Sequence, residues 1–320
     1  MKRTLALAVA LMGGGWSTVF AQANSCPVGV TQDACQKAVD VYQYVAPQLG
    51  TAITGGNATL GKGGALGGLG HFSLGIRVNA VQGSIPQVDD PGAQPVLTGA
   101  KATAYPTKSA FVPMPTVDGA LGIYRGFPLG LTNVGGLDLL VSASYIPKVD
   151  RDDIAIDPDN PLKLGYGARV SLLQESIVAP GVSVTVLRRD LPVLSLTGTT
   201  LGSTLNVKDL DEKTTAWRLV ASKSLIMFGV AAGYGQDRYE SSATASAVIA
   251  GLTSPNVAVA QTMTRSNMFA DLSFNLPLLK IVAEVGLVSG GTAPSTINTF
   301  PSKGIVDSRL YGSAGLRLSW

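Results

Sequence analysis

Charge is scarce in this chain. Asp, Glu, Lys and Arg make up 14% of the 320 residues, against about 25% in an ordinary soluble domain. The formal net charge is only +3 and no basic block occurs, so nucleic acid is excluded as a partner. Long hydrophobic runs are missing too. No stretch of roughly 18 apolar residues exists, so no membrane-spanning helix is expected. Histidine appears once, as His71, and cysteine twice, as Cys26 and Cys35. That leaves no ligand cluster for zinc, and neither a metal nor a cofactor is predicted. Yet 46% of the residues are hydrophobic and the mean hydropathy is +0.28. Oily residues without an oily run must be spread out, and alternation is the pattern that spreads them.

The first residues, MKRTLALAVALMGGGWSTVFAQA, have a positive tip at Lys2 and Arg3, an apolar run from Thr4 to Met12, and small residues at Val19, Ala21 and Ala23. This is the layout of a cleaved secretory signal, residues 1–21, with cleavage expected after 21 or 23. In an oxidising compartment Cys26 and Cys35 are expected to form a disulfide that fastens the start of the mature chain.

Gly55 to Gly64 reads GGNATLGKGG, which contains most of a phosphate-binding loop. Gly63 stands where the magnesium-binding Ser or Thr belongs, and neither a strand before nor a helix after frames the motif. The stretch therefore reads as a flexible glycine linker. Ahead of it, Cys35, Ala38, Val39, Tyr42, Val45, Ala46 and Leu49 recur at spacings of three and four. That predicts one short amphipathic helix over 32–49, shortened near Pro47. Residues 24–69 are accordingly expected to be a periplasmic N-terminal helix and glycine-rich linker, placed to plug or cap the periplasmic mouth of the domain that begins at residue 70.

From residue 70 the period becomes two. Phe72, Leu74, Ile76 and Val78 alternate with Ser73, Gly75, Arg77 and Asn79. Leu137, Leu139, Val141 and Tyr145 alternate likewise with Asp138, Leu140 and Ser142, and Leu164, Tyr166 and Val170 with Gly165, Gly167 and Arg169. Spans of about ten residues, alternating and separated by turn residues, are the signature of a membrane β-barrel. A soluble sandwich also alternates, but its solvated face is rich in Lys and Glu, whereas the polar face here is Gly, Ser and sparse Arg. The fold class predicted is all-β: a transmembrane antiparallel barrel over 70–320. Ten strands are expected, at 70–83, 114–126, 135–147, 163–175, 180–190, 213–223, 226–238, 262–275, 279–290 and 306–320. A hairpin within 191–212 would make twelve.

The last span, RLYGSAGLRLSW, alternates and stops on the aromatic Trp320. It resembles the C-terminal strand by which the barrel-assembly machinery of Gram-negative outer membranes recognises its clients. That resemblance implies a cell outer-membrane location, with Trp320 as assembly signal and with outer-membrane lipid and lipopolysaccharide as surroundings. The order of parts, an N-terminal segment before the first strand, is similar to that of outer-membrane transporters of the long-chain fatty acid type, whose N-terminal segment is a hatch.

The polar face carries Arg77, Asp138, Arg169, Arg218, Asp271, Glu284, Arg309 and Arg317. Inside a narrow barrel these form either a structural salt-bridge network or a selectivity lining. His71 and Ser73 share one face, but no orienting acid accompanies them, so lipid hydrolysis is the weaker reading and no enzyme is predicted. The acidic stretch Asp153 to Asn160 lacks the glycine and glutamate of a calcium loop. It reads as a solvated outer loop able to hold divalent cations that bridge lipopolysaccharide. The function expected is a porin-like channel or transporter for a small solute, hydrophobic ones included, with the N-terminal segment as plug. The alternative is a structural or adhesive barrel whose lumen is closed by salt bridges.

Overall fold

A computed structural model describes residues 26–151, 154–200 and 202–320. The proposed signal peptide and Asp153 lie outside the described residues. Ten antiparallel strands form the wall: β1 (Phe72–Pro86), β2 (Thr107–Tyr124), β3 (Gly136–Tyr145), β4 (Leu162–Leu173), β5 (Gly181–Asp190), β6 (Ser203–Leu225), β7 (Phe228–Ile249), β8 (Val257–Asn275), β9 (Leu279–Ser289) and β10 (Arg309–Ser319). Each pairs with its neighbours in chain order, and β1 also pairs with β10 from Ser73↔Ser319 to Val81↔Tyr311, so the sheet closes on itself. Closure pairs most backbone groups of the spanning region within the sheet, which is what lipid demands.

Along each strand the alternation sorts side chains by solvent. Leu74, Ile76, Val78, Leu139, Val141, Leu164, Tyr166, Leu219, Val230, Leu272, Ile281 and Leu316 face outward and are exposed. Their neighbours in sequence, among them Ser73, Arg77, Asp138, Arg169, Arg218 and Asp271, face inward and are buried. An apolar skin around a polar interior is the architecture of an outer-membrane β-barrel. Among the described residues no helix is long and apolar enough to cross a membrane.

The wall has ten strands rather than twelve. The hairpin expected within 191–212 exists, since Leu194–Thr200 pairs with β6 from Leu194↔Leu210 to Thr200↔Ser203. It does not enter the wall. Its other edge pairs with Ile154–Pro158, which pairs with Val149–Arg151, and the three short strands form a flap on the tall end of β6. At the opposite end of the barrel the connections β6–β7 and β8–β9 are short, and Trp320 stacks on Phe72 with ring centroids 4.7 Å apart.

Helix α1 (Gln32–Thr54) runs past Pro47. Proline removes the amide that would have bonded the Gln43 carbonyl; that carbonyl accepts from Gln261 Nε2 at 3.5 Å instead. Cys26 and Cys35 are disulfide-bonded across the helix start. The helix does not sit at the mouth nearest Trp320, where a periplasmic cap was expected. It lies inside the opposite mouth, the one bearing the long loops. Asp33 accepts from the backbone of Val96 and Lys101, and Asp40 from that of Ile297 and Asn298.

Candidate functional site: the occupied lumen

From α1 the chain descends the inside of the barrel, and its contacts mark the path. Tyr42 bonds Ser241, Gln48 bonds Ser84, and Thr51 meets Tyr239. Lower down, Arg218 donates to the Gly55 carbonyl at 3.0 Å and Arg77 to that of Asn57 at 2.8 Å. The Gly63 amide donates to Ser222 at 2.8 Å, and the Leu66 amide to both Asp138 oxygens at 3.1 Å. Gly70 then leads directly into β1. The glycine-rich stretch is thus not a free linker: Thr51 to Leu60 are all buried, with a specific partner at nearly every turn.

Glycine is required where this segment brushes the wall. A Cβ on Gly56 would lie 2.6 Å from the Glu284 carboxyl carbon, and one on Gly63 would lie 2.7 Å from the Ser222 amide. The resemblance to a phosphate-binding loop follows from this close fit. Glycine frees backbone amides to approach an anion, and the anions here belong to the wall. Glu284 accepts from the amides of Gly56 (3.1 Å) and Asn57 (2.7 Å). Asp271, its cross-strand neighbour, accepts from Asn57 Nδ2 (2.8 Å) and from the Gly61 amide (2.9 Å).

The eight inward charges read from the sequence are all buried on the lumen side. All but Arg169 touch the N-terminal segment directly. Arg317 donates to the Leu60 carbonyl, and Arg309 donates to the Tyr44 hydroxyl and lies over its ring, 5.6 Å from the centroid. Arg169 acts through Asp138, which it grips with two nitrogens at 2.9 and 2.7 Å. Buried charge demands compensation, and much of it comes from peptide groups of the segment rather than from other side chains.

Sequence reasoning missed Asp118, Arg189 and Asp237. Asp118 bridges Arg77 Nε at 2.8 Å and Arg189 Nη2 at 2.7 Å. Arg189 also donates to the Thr54 carbonyl at 2.7 Å. Asp237 holds Arg218 at 2.5 Å. The signal was available, because each shares parity with the Gly, Ser and Thr positions of its strand. Ser73 is buried and bonds the Leu318 carbonyl and Ser319, whereas His71 is exposed at the rim; the two do not form a pair. Among the described residues no cluster of three or more His, Cys, Asp and Glu side chains is placed to hold a metal ion.

Two hollows accompany the charged belt, one of about 640 Å³ on the lipid face at the height of Arg77 and another of about 310 Å³ against α1. Val41, Val45 and Leu49, the stripe of α1 left partly uncovered, form the floor of the inner one. Burial holds the Asp40 carboxyl of the same helix above its ordinary value, against the pull of its hydrogen bonds from Asn298, Gln36 and Ile297.

No protein-family model matches the chain, and no curated protein matches it. Solved structures similar to it are barrels. The TodX deltaS2S3 mutant monoaromatic hydrocarbon channel is 9% identical, over 84% of this chain and 97% of that one, with a TM-score of 0.32. The transport unit of the autotransporter AIDA-I from Escherichia coli is 9% identical, over 88% and 99%, with a TM-score of 0.38. The toluene transporter TbuX of Ralstonia pickettii is 15% identical, over 84% and 73%, with a TM-score of 0.30.

Proposed function

We propose that this chain is an outer-membrane transporter for small hydrophobic solutes, closed by its own N-terminal segment. The observation that carries the reading is the mode of closure. A barrel that only needs filling can close its lumen with wall side chains. Here a separate stretch fills it, and the wall charges grip that stretch by its backbone at Gly55, Gly56, Asn57, Leu60, Gly61 and Leu66. Hydrogen bonds of this kind are individually modest, about 0.5–1.5 kcal/mol net and about 1.5–3 kcal/mol to charged groups. Such a closure can be released a few contacts at a time.

In this reading Trp320 and the short turns face the periplasm, the helix and long loops face the cell exterior, and lipopolysaccharide surrounds the flap. The last strand, ending in Trp320, serves the barrel-assembly machinery. One observation favours the structural or adhesive alternative: the Arg77–Asp118–Arg189, Arg169–Asp138 and Arg218–Asp237 groups cross-link the wall whether or not anything passes.

Planar-bilayer recordings separate the two. The full chain is expected to be silent. Glu284→Gln, which weakens the grip on Gly56 and Asn57, is expected to flicker open, and a chain lacking 24–60 to conduct steadily. Absence of conductance in all three, together with no uptake of apolar solutes by vesicles carrying the full chain, would overturn the transporter reading.

A further inference from the structure

We infer that the inner hollow is a binding site for one small, uncharged, apolar molecule, seated between the plug helix and a break in the barrel wall. This rests on the transport reading for its purpose but not for its evidence, which is local.

The break comes from strand pairing. β2 pairs with the whole length of β1, from Pro86↔Thr107 to Phe72↔Leu121. On its other edge it meets β3 only from Thr116↔Ser144 downward. Thr107 to Pro115 are therefore paired on one side alone. Pro113 and Pro115 lie in that stretch, and proline has no amide to offer a neighbouring strand. β3 meanwhile ends at Tyr145 and turns toward the flap. The wall is open at that height, and the 310 Å³ hollow lies in the opening.

Its lining selects the occupant. Val41, Val45 and Leu49 come from the helix, Val112 and Met114 from β2, and Leu196 from the flap. No charged side chain lines it among the described residues. Two of its polar side chains, Gln48 and Thr197, are already engaged. Gln48 donates to the carbonyls of Tyr44 and Ser84 at 3.0 and 3.1 Å, and its oxygen accepts from the Ser84 amide at 2.7 Å. Thr197 bonds Asn206. A charged ligand would be stripped of water with nothing to replace it, a large cost. A neutral apolar one gains the transfer free energy of its surface, roughly 25 cal/mol per Å². The volume is at the lower end of that of ligand sites, about 300 Å³ upward, which fits a compact molecule. Tyr145 lines both this hollow and the larger lipid-facing one, so the site adjoins the membrane.

The test uses the full chain in lipid nanodiscs and the neutral fluorescent probe N-phenyl-1-naphthylamine, with protein-free nanodiscs subtracted. Wild type is expected to show saturable binding on top of lipid partitioning. Val45→Trp and Leu196→Trp fill the hollow from opposite walls and are each expected to weaken that binding at least tenfold. Val230→Trp, on the lipid face, is expected to leave it unchanged. Heat-dependent gel mobility reports that each variant is folded, and the second filling variant stands in if the first is not. Absence of saturable binding in wild type, or unchanged binding in folded Val45→Trp and Leu196→Trp, overturns the site. Saturable binding that both variants remove, in a protein that moves no solute, upholds the site and sinks the transport reading alone.

Discussion

Asp237→Ala is the most telling single change, because Asp237 belongs to a wall charge pair whose two members both also bond the N-terminal segment. It is fully buried. One oxygen meets Arg218 at 2.5 Å. The other accepts from Asn267 at 2.9 Å, Tyr239 at 3.3 Å and Thr54 of the N-terminal segment at 3.4 Å. Removing one member of a buried pair costs about 3–5 kcal/mol, since the survivor is stranded. Arg218 keeps the carbonyls of Gly55, Trp217 and Gln236 at 3.0, 3.0 and 3.2 Å, which argues for the low end of that range. Losing an acceptor for Asn267 and Tyr239 adds about 1 kcal/mol. The expected loss is therefore about 4 kcal/mol, read as the shift in a urea titration of the protein in phospholipid vesicles. The double variant Arg218→Met/Asp237→Leu removes both charges and is expected within about 1 kcal/mol of wild type. A single variant that costs under 1 kcal/mol, or a double as damaged as the single, would refute the view that this pair is held by burial.

Four further outcomes are expected. Gly56→Ala pushes a methyl group into the Glu284 carboxyl and should cost about 1–3 kcal/mol as overpacking, measured in the same titration; no cost would show the segment is loosely held. Cys26→Ser with Cys35→Ser opens a loop of sequence separation 9 and should cost about 2–3 kcal/mol, with protease cleavage appearing near the start of α1 and not in the wall. Asp40 keeps its proton in the folded state above the 3.8 of an ordinary side chain, so the stability it contributes falls as pH rises from there; Asp40→Asn should flatten the fall of the urea midpoint as pH rises above 3.8, and an unchanged slope would place the titration elsewhere. An epitope at Val28, which is 92% exposed at the long-loop end, should bind antibody on intact cells; binding only after the outer membrane is permeabilised would invert the orientation.

The strands were legible because lipid outside and polar groups inside leave a period-two record. All ten spans read from the alternation lie on the ten wall strands. Their upper ends were not legible. β6 begins at Ser203 and β7 ends at Ile249, well past the expected 213 and 238, because above the membrane the outward face loses its apolar signal at Lys213 and Arg238. The helix was read at 32–49, and it continues to Thr54 because Gln261, distant in sequence, takes up the carbonyl that Pro47 orphans. The glycine stretch misled for the same reason. Its order comes from Asp138, Ser222, Asp271 and Glu284, which no local window contains. The lumen charges could be found by parity, but their partners could not, since peptide groups of the N-terminal segment leave no mark in side-chain spelling.

The seam between β1 and β10 has a consequence for how the molecule is made. Phe72 and Trp320 exchange backbone hydrogen bonds at 3.1 and 3.0 Å, so the tenth strand completes the ring that the first strand began. A helix is about 10 Å across with its side chains, and this one is tied by disulfide at its outer end. Threading it through a finished cylinder would break the wall's charge pairs one after another. The economical order of birth is the reverse: the occupant takes its place first, and the staves are drawn up around it like a cask built over its contents.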